Sequence, residues 1–247
     1  MKYRNCIFDL YGTLVDIHTD EDAPQLWEAM AEYYQERGAA YRPGERHTAY
    51  LDAVRRAEGA ASSTHDAHEA HPEIQIEYVF QQLFQAKGAG ADLEQAVQAG
   101  RRFREVSTEY IRLYEGAAEL LRTLRERGQG VYLLSNAQGI FTRMELDRLG
   151  LTPLFDRIYL SSDYGVKKPD RRFFDLLLQN EGIPPETAIM VGNDGSCDIA
   201  GGRAAGLSTL YIRSNISPKE PLPAADYALE EMDLRRVAEI LTQEADI

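Results

Sequence analysis

Apolar residues fall along this chain in two rhythms. Residues 4–9 (Arg-Asn-Cys-Ile-Phe-Asp) end in a short apolar run that meets Tyr11-Gly12-Thr13, which predicts a strand entering a tight turn. From Asp22 to Leu113 the spacing is read as helical throughout. Leu26, Met30, Tyr33 and Tyr34 recur at helical intervals, as do Ile76, Val79, Phe80 and Leu83, then Val97, Phe103, Val106, Tyr110 and Leu113. Small-residue stretches at 59–63 and 88–90 are read as breaks between these helices. Beyond Gly116 the rhythm alternates. Helices are predicted over 117–127, 140–149, 171–180 and 198–205, and strands over 131–134, 157–160, 188–191 and 209–212. Strands alternating with helices of this length make βαβ units and hence a parallel sheet flanked by helices. The predicted architecture is a doubly wound, Rossmann-like α/β core over 1–15 and 115–247, with an all-helical insertion over 16–114.

Charge narrows the partners. The chain carries 40 acidic and 27 basic residues, a net charge of −13, and so repels phosphate backbones and anionic lipid. No nucleic acid and no membrane partner is expected. No apolar stretch approaches the ~20 residues that span a bilayer, and the first nine residues do not read as a signal peptide. Cys6 and Cys197 make no disulfide framework, and Cys6 sits in a buried strand, so a reduced, cytoplasmic setting is expected. The pattern assigns no oligomeric state.

In an open α/β sheet ligands bind at the carboxyl ends of the strands. The polar residues collected there are Asp9, Ser135 with Asn136, and Asn193-Asp194 with Asp198, joined by Lys167-Lys168 in a loop that opens a helix. Each alone reads more readily as a helix cap. Together they form a coherent chemical set. A carboxylate such as Asp9 attacks phosphorus or carbon to give a covalent intermediate that water opens. Asp194 and Asp198 offer hard oxygen ligands for Mg²⁺. A hydroxyl and a lysine grip the outer oxygens of a phosphoryl group. Such a site solves the charge problem, because Mg²⁺ and Lys168 create a local anion site inside an acidic protein.

Four segments carry a family resemblance. Residues 8–14 (Phe-Asp-Leu-Tyr-Gly-Thr-Leu) resemble the first motif of the haloacid dehalogenase-like superfamily. Leu134-Ser135-Asn136 resembles its second motif, Lys168-Pro169 with Phe173-Phe174 its third, and Val191-Gly192-Asn193-Asp194 with Asp198-Ile199 its fourth. Order and spacing match, and the insertion stands where the family's C1-type cap sits. The resemblance implies Asp9 as nucleophile, Ser135 and Lys168 as phosphoryl contacts, and Asn136 as a substrate contact. It also implies Mg²⁺ held by Asp9, the Tyr11 carbonyl and Asp194, with Asp198 in support.

Two departures pull apart. Family phosphatases carry an acid–base aspartate two residues after the nucleophile; here that position is Tyr11, as in the family's metal-free 2-haloacid dehalogenases. A tyrosine with a pKa near 10 donates a proton but is a poor base at neutral pH. Conversely, the dehalogenases lack the metal-site aspartate, whereas Asp194 and Asp198 are both present, although Asn193 stands where the first aspartate usually lies. Arg37 and Arg42 match the dehalogenases' cap arginine only loosely, and Phe173 and Phe174 replace their third-motif tyrosine. The expected protein is an Mg²⁺-dependent phosphatase acting on a small, anionic metabolite. The alternatives are a metal-free dehalogenase and a non-catalytic binding member. His65, His68 and His71 share a spacing that suits Zn²⁺ or Ni²⁺, but their polar, small-residue surroundings favour a solvated loop. Trp27 and the Tyr33-Tyr34 pair are read as core of the insertion.

Overall fold

The computed structural model describes residues 2–42, 44–63 and 71–244. Along the chain, strands β1 (Asn5–Phe8) and β2 (Val15–Thr19) lead into helices α1 (Pro24–Gln35), α2 (Glu45–Ser63), α3 (Ile76–Gln85) and α4 (Leu93–Ser107). Strand β3 (Thr108–Leu113) returns to α5 (Ala117–Glu126), β4 (Gly130–Ser135), α6 (Gly139–Arg148), β5 (Arg157–Leu160), α7 (Ser161–Tyr164) and α8 (Arg171–Asn180). The chain ends with β6 (Ala188–Gly192), a π-helical turn over Gly195–Ala200, α9 (Gly201–Ala204), β7 (Ser208–Ile212), β8 (Tyr227–Leu229) and α10 (Leu234–Leu241).

Six strands form one parallel sheet in the order β5-β4-β1-β6-β7-β8. Alternate side chains of the central strands feed two separate cores. Cys6 and Phe8 of β1, Val131 and Leu133 of β4 and Ile189 and Val191 of β6 face Leu120, Leu121 and Leu124 of α5 and Val237 of α10. Ile7, Leu134 and Met190 face Phe173, Phe174 and Leu177 of α8 on the other side. Burial on both faces explains why these strands read as unbroken apolar runs. Cys6 is part of this packing, and burial pushes its thiol up to about 12, so it stays protonated and inert.

Helices α1–α4 enclose their own apolar cluster around Leu26, Met30, Tyr34, Phe80, Phe84 and Phe103. Tyr34 is fully buried there, and Trp27 and Tyr33 pack against it, as the helical spacing requires. The α4 start is fixed by a capping box between Asp92 and Gln95.

The reading of 22–113 as helix alone is corrected. Tyr110 and Leu113 belong to β3, which pairs antiparallel with β2 from Val15↔Leu113 to Thr19↔Thr108. Their three-residue spacing suits a helix, but partner strand β2 lies about ninety residues away and supplies the hydrogen bonds. Residues 59–63 are no break either: they close α2, where Ala and Ser at the helix end are compatible with helix. Strand β8 and helix α10 extend the core beyond the last predicted strand. His65 and His68 lie outside the described residues.

Two of the contacts between the insertion and the core are close approaches of backbone. Gly100 of α4 sits against Ile140 of α6, where a Cβ would come within 2.6 Å of its Cδ1, so only glycine permits this approach of the helices. Residues 71–76 clasp the loops after β4 and β5. Lys167 N donates to His71 O at 3.0 Å, Glu73 N to Gly165 O at 3.0 Å and Ser161 Oγ to the Glu73 carboxylate at 2.8 Å. The Gln138 side chain bonds both Ile76 N and Ile74 O at 3.0 Å.

Candidate active site

Three central strands deliver the site. Asp9 follows β1, Ser135 ends β4, and Asn193 and Asp194 follow β6, at the carboxyl edge where the chain reverses its direction across the sheet. Asp9 N is held by Val191 O at 2.9 Å, which locks the nucleophile loop to β6. Gly12 turns the chain at φ +83°, and a Cβ there would strike the Asn193 side chain.

Lys168 is the centre of the cluster. Its Nζ donates to Asp9 Oδ1 at 2.8 Å, Asp198 Oδ1 at 2.7 Å and Leu134 O at 2.7 Å, so all three of its protons are engaged. Burial alone would drive the ammonium toward neutrality; the charges of Asp198 and Asp9 reverse this and hold it above the ordinary lysine value. Ser135 Oγ donates to the same Asp9 oxygen at 3.3 Å, and Thr13 Oγ1 lies 3.4 Å from Asp9 Oδ2. The Asp9 carboxylate is thus oriented from both sides.

Asp198 accepts Lys168 with one oxygen and Asp194 N with the other, at 3.0 Å. Burial, reinforced by the neighbouring Asp9 charge, keeps it above the ordinary aspartate range despite Lys168. Asp194 is divided differently. Its Oδ1 caps the π-helical turn, accepting from Ser196 N at 2.8 Å and Cys197 N at 2.7 Å, while Oδ2 accepts no hydrogen bond among the described residues. Burial raises its pKa, but the hydrogen bonds from Cys197 and Ser196 outweigh this and hold it below the ordinary aspartate range, so Asp194 stays ionised. Two carboxylates therefore share one ammonium, with the Asp194 carboxylate adjoining them. Among the described residues no three His, Cys, Asp or Glu side chains form a ready-made metal cluster. That donor set still fits Mg²⁺, which takes one or two carboxylates and fills its remaining positions with water and substrate oxygens.

Gly192 makes the Asp198 position possible, since a Cβ there would occupy the space of its carboxyl group. Gly192→Ala should displace Asp198 and slow turnover about a hundredfold, in line with the cost of misplacing a catalytic group by an ångström. Steady-state turnover beside a thermal melt checks this; wild-type turnover would mean that the Asp198 position is irrelevant.

Two expected contacts take other partners. Asn136 accepts from Lys168 N at 2.8 Å and donates to Lys168 O at 2.9 Å, so its amide fixes the Lys168 loop instead of facing substrate. The Tyr11 hydroxyl turns away to α6, donating to Glu145 and lying 2.9 Å from Thr142 Oγ1. Burial first, then the Glu145 charge, pushes the Tyr11 phenol up, so it is neither a base nor a free acid. Arg104 of α4 closes this arrangement, its Nε donating to Glu145 at 2.6 Å and its guanidinium lying 5.7 Å from the Tyr11 ring centre. Arg104 and Glu145 carry no sequence signal, being forty-one residues apart on helices that meet only in the fold. Arg37 lies over the Tyr33 ring at 3.7 Å, and the His71 backbone N–H donates to Asp170 at 3.1 Å.

A parallel α/β sheet with an inserted helical unit, bearing an aspartate, a serine, a lysine and two further aspartates at its carboxyl edge, defines a class of capped α/β hydrolases. The model of the haloacid dehalogenase-like hydrolases matches residues 3–206, and the chain belongs to that family. It is 34% identical over 151 residues to the phosphoserine phosphatase of Thermus thermophilus, a stretch that covers 59% of this chain and 60% of that enzyme. The chain spans about half the length of several curated relatives it matches, 52% and 44% in two further cases. Among solved structures, the fold is shared with the HAD-hydrolase YfnB of Bacillus subtilis bound to magnesium, at 22% identity and a TM-score of 0.56, covering 98% of this chain and 100% of that one. It is shared also with the 2-haloacid dehalogenase of Pseudomonas syringae pv. Tomato DC3000, at 20% identity and a TM-score of 0.68, covering 97% and 98%. At these identities the likeness is one of fold. Among the described residues no helix is long and apolar enough to cross a membrane.

Proposed function

We propose that the protein is a cytoplasmic, Mg²⁺-dependent phosphatase that acts on a small phosphorylated metabolite through an aspartyl-enzyme intermediate on Asp9. The observation that carries this reading is charge. Asp9 and Asp198 share one buried ammonium, Asp194 adds a third carboxylate nearby, and an anionic substrate approaching that cluster is repelled unless a further cation is present. Asp9, the Tyr11 carbonyl and Asp194 would hold the metal, with Asp198 behind them. Bound Mg²⁺ supplies neutralisation of the phosphoryl oxygens. The Asp9 carboxylate attacks phosphorus, the bond to the leaving-group oxygen breaks, and water then opens the acyl phosphate. Lys168 and Ser135 keep the carboxylate aimed, and the Ser135 hydroxyl is the donor placed to turn from Asp9 to a phosphoryl oxygen. The phosphatase named among the relatives lends this reading support.

Tyr11 favours a second reading, metal-free dehalogenation at carbon, because a departing halide needs no proton and the Tyr11 hydroxyl is committed to Glu145. A panel of phosphate esters and 2-haloacids, assayed for phosphate and halide with and without chelator, separates the two. The expected outcome is phosphate release that stops in chelator and returns with Mg²⁺. Aryl phosphates should be cleaved much faster than alkyl phosphates, since general-acid help is typically worth ~10²–10⁴-fold. Halide release from 2-chloropropionate in excess chelator, with every ester left intact, would establish the dehalogenase instead.

A further inference from the structure

A cavity of about 850 Å³ lies away from Asp9, between α1, α4 and β3 on one side and α6 on the other. Its floor carries the Arg104–Glu145 pair described above. Arg101 stands one turn before Arg104 on the same face of α4, and Arg148 one turn after Glu145 on α6, spacings that bring side chains within ~5–6 Å of their neighbours at Cβ. Arg104 pairs with Glu145, and Arg101 and Arg148 line the same groove. The Arg101 Nε is buried without a hydrogen-bond partner, a state that costs free energy unless a ligand supplies the acceptor. Arg148 is exposed and has no ion-pair or hydrogen-bond partner among the described residues. Of the acidic lining residues, Glu105 pairs with Arg102 at 2.9 Å, Asp92 caps α4 and Glu109 lies 3.6 Å from His18 Nε2, while Glu94 also lines the groove. Met144 and Ile111 add apolar wall beside the arginines.

We propose that this groove is a second anion-binding site, distinct from the catalytic cluster, for a small organic anion bearing at least two negative charges next to an apolar portion. Arg101 and Arg148 take the charges, one from each side of the α4–α6 seam. A ligand bound there bridges the insertion to the core and sits beside the Glu145 that holds the Tyr11 hydroxyl, so occupancy is transmitted to the loop carrying Asp9. Neither Arg101 nor Arg148 has an ion-pair partner among the described residues, so their charge is left for a ligand.

The test is calorimetric titration in metal-free buffer with citrate as the carboxylate probe and inorganic pyrophosphate as the phosphate probe. Proteins compared are wild type, Arg148→Gln, the Arg101→Gln/Arg148→Gln pair, and Arg171→Gln as a control for loss of charge elsewhere. Wild type should bind at least one probe with 1:1 stoichiometry, and that probe should raise its melting temperature by mass action. The responding probe tells whether carboxylate or phosphate is preferred. Arg148→Gln should weaken binding about tenfold, as loss of a charge-assisted hydrogen bond implies, and the double variant further. Arg171→Gln should bind as wild type. Because Arg148 is exposed, its replacement should leave the melting temperature without ligand unchanged. Absence of 1:1 binding by wild type overturns the proposal, as does equal weakening in Arg148→Gln and Arg171→Gln.

Discussion

Asp9→Asn is expected to give a folded protein whose turnover falls by at least ~10³-fold, because an amide oxygen is a far weaker nucleophile than a carboxylate. The geometry makes this a clean substitution. Asparagine keeps the size of the side chain, and its carbonyl oxygen can still accept from Lys168 and Ser135. Removing one of three clustered negative charges relieves repulsion on Asp198, so the melting temperature should hold or rise. Phosphate release and a thermal melt measured on the same preparation decide the matter. More than a tenth of wild-type turnover, with contaminating phosphatase excluded, would remove Asp9 from the chemistry. A large fall in melting temperature would show instead that its charge is needed for folding.

The parts of this molecule legible in the sequence are those that local chemistry determines. The apolar runs of β1, β4 and β6 read as buried strands because both faces meet helices. Their polar terminal residues then mark the sheet edge, so Asp9, Ser135, Lys168 and Asp198 are brought together as the strand-and-helix rhythm implies. The features that escaped depend on partners distant in sequence. Tyr110 and Leu113 have a spacing compatible with a helix and become a strand only because β2 lies alongside. Tyr11 reads as a catalytic side chain from its place after Asp9, yet Glu145, Thr142 and Arg104 draw its hydroxyl to α6. Asn136 reads as a substrate contact from its place beside Ser135, whereas both ends of its amide meet the Lys168 backbone. For Tyr11 and Asn136 the direction of the side chain is set by tertiary structure.

Lys168→Met should be the most damaging substitution in both stability and activity. Methionine matches the length and apolar stem of lysine, so packing is largely kept and the loss is one of charge. Lys168 is almost wholly excluded from solvent, and its removal leaves Asp9 and Asp198 facing each other with no cation between them. Breaking a buried ion pair by deleting one partner costs about 3–5 kcal/mol, far more than the pair contributes relative to apolar replacements. Denaturant unfolding should show a loss of that size, and turnover should fall with it because Asp9 is no longer aimed. Lys168→Arg should fare little better in turnover, since a planar guanidinium cannot place three donors on acceptors arranged around a compact ammonium. A second change separates electrostatics from packing. Lys168→Met combined with Asp198→Asn removes the uncompensated charge, so stability should recover by more than half while activity stays lost. If the double variant is no more stable than the single one, the cost lies in the methionine's fit and not in the carboxylates. If Lys168→Met unfolds at the wild-type midpoint, the ammonium does not hold this cluster together.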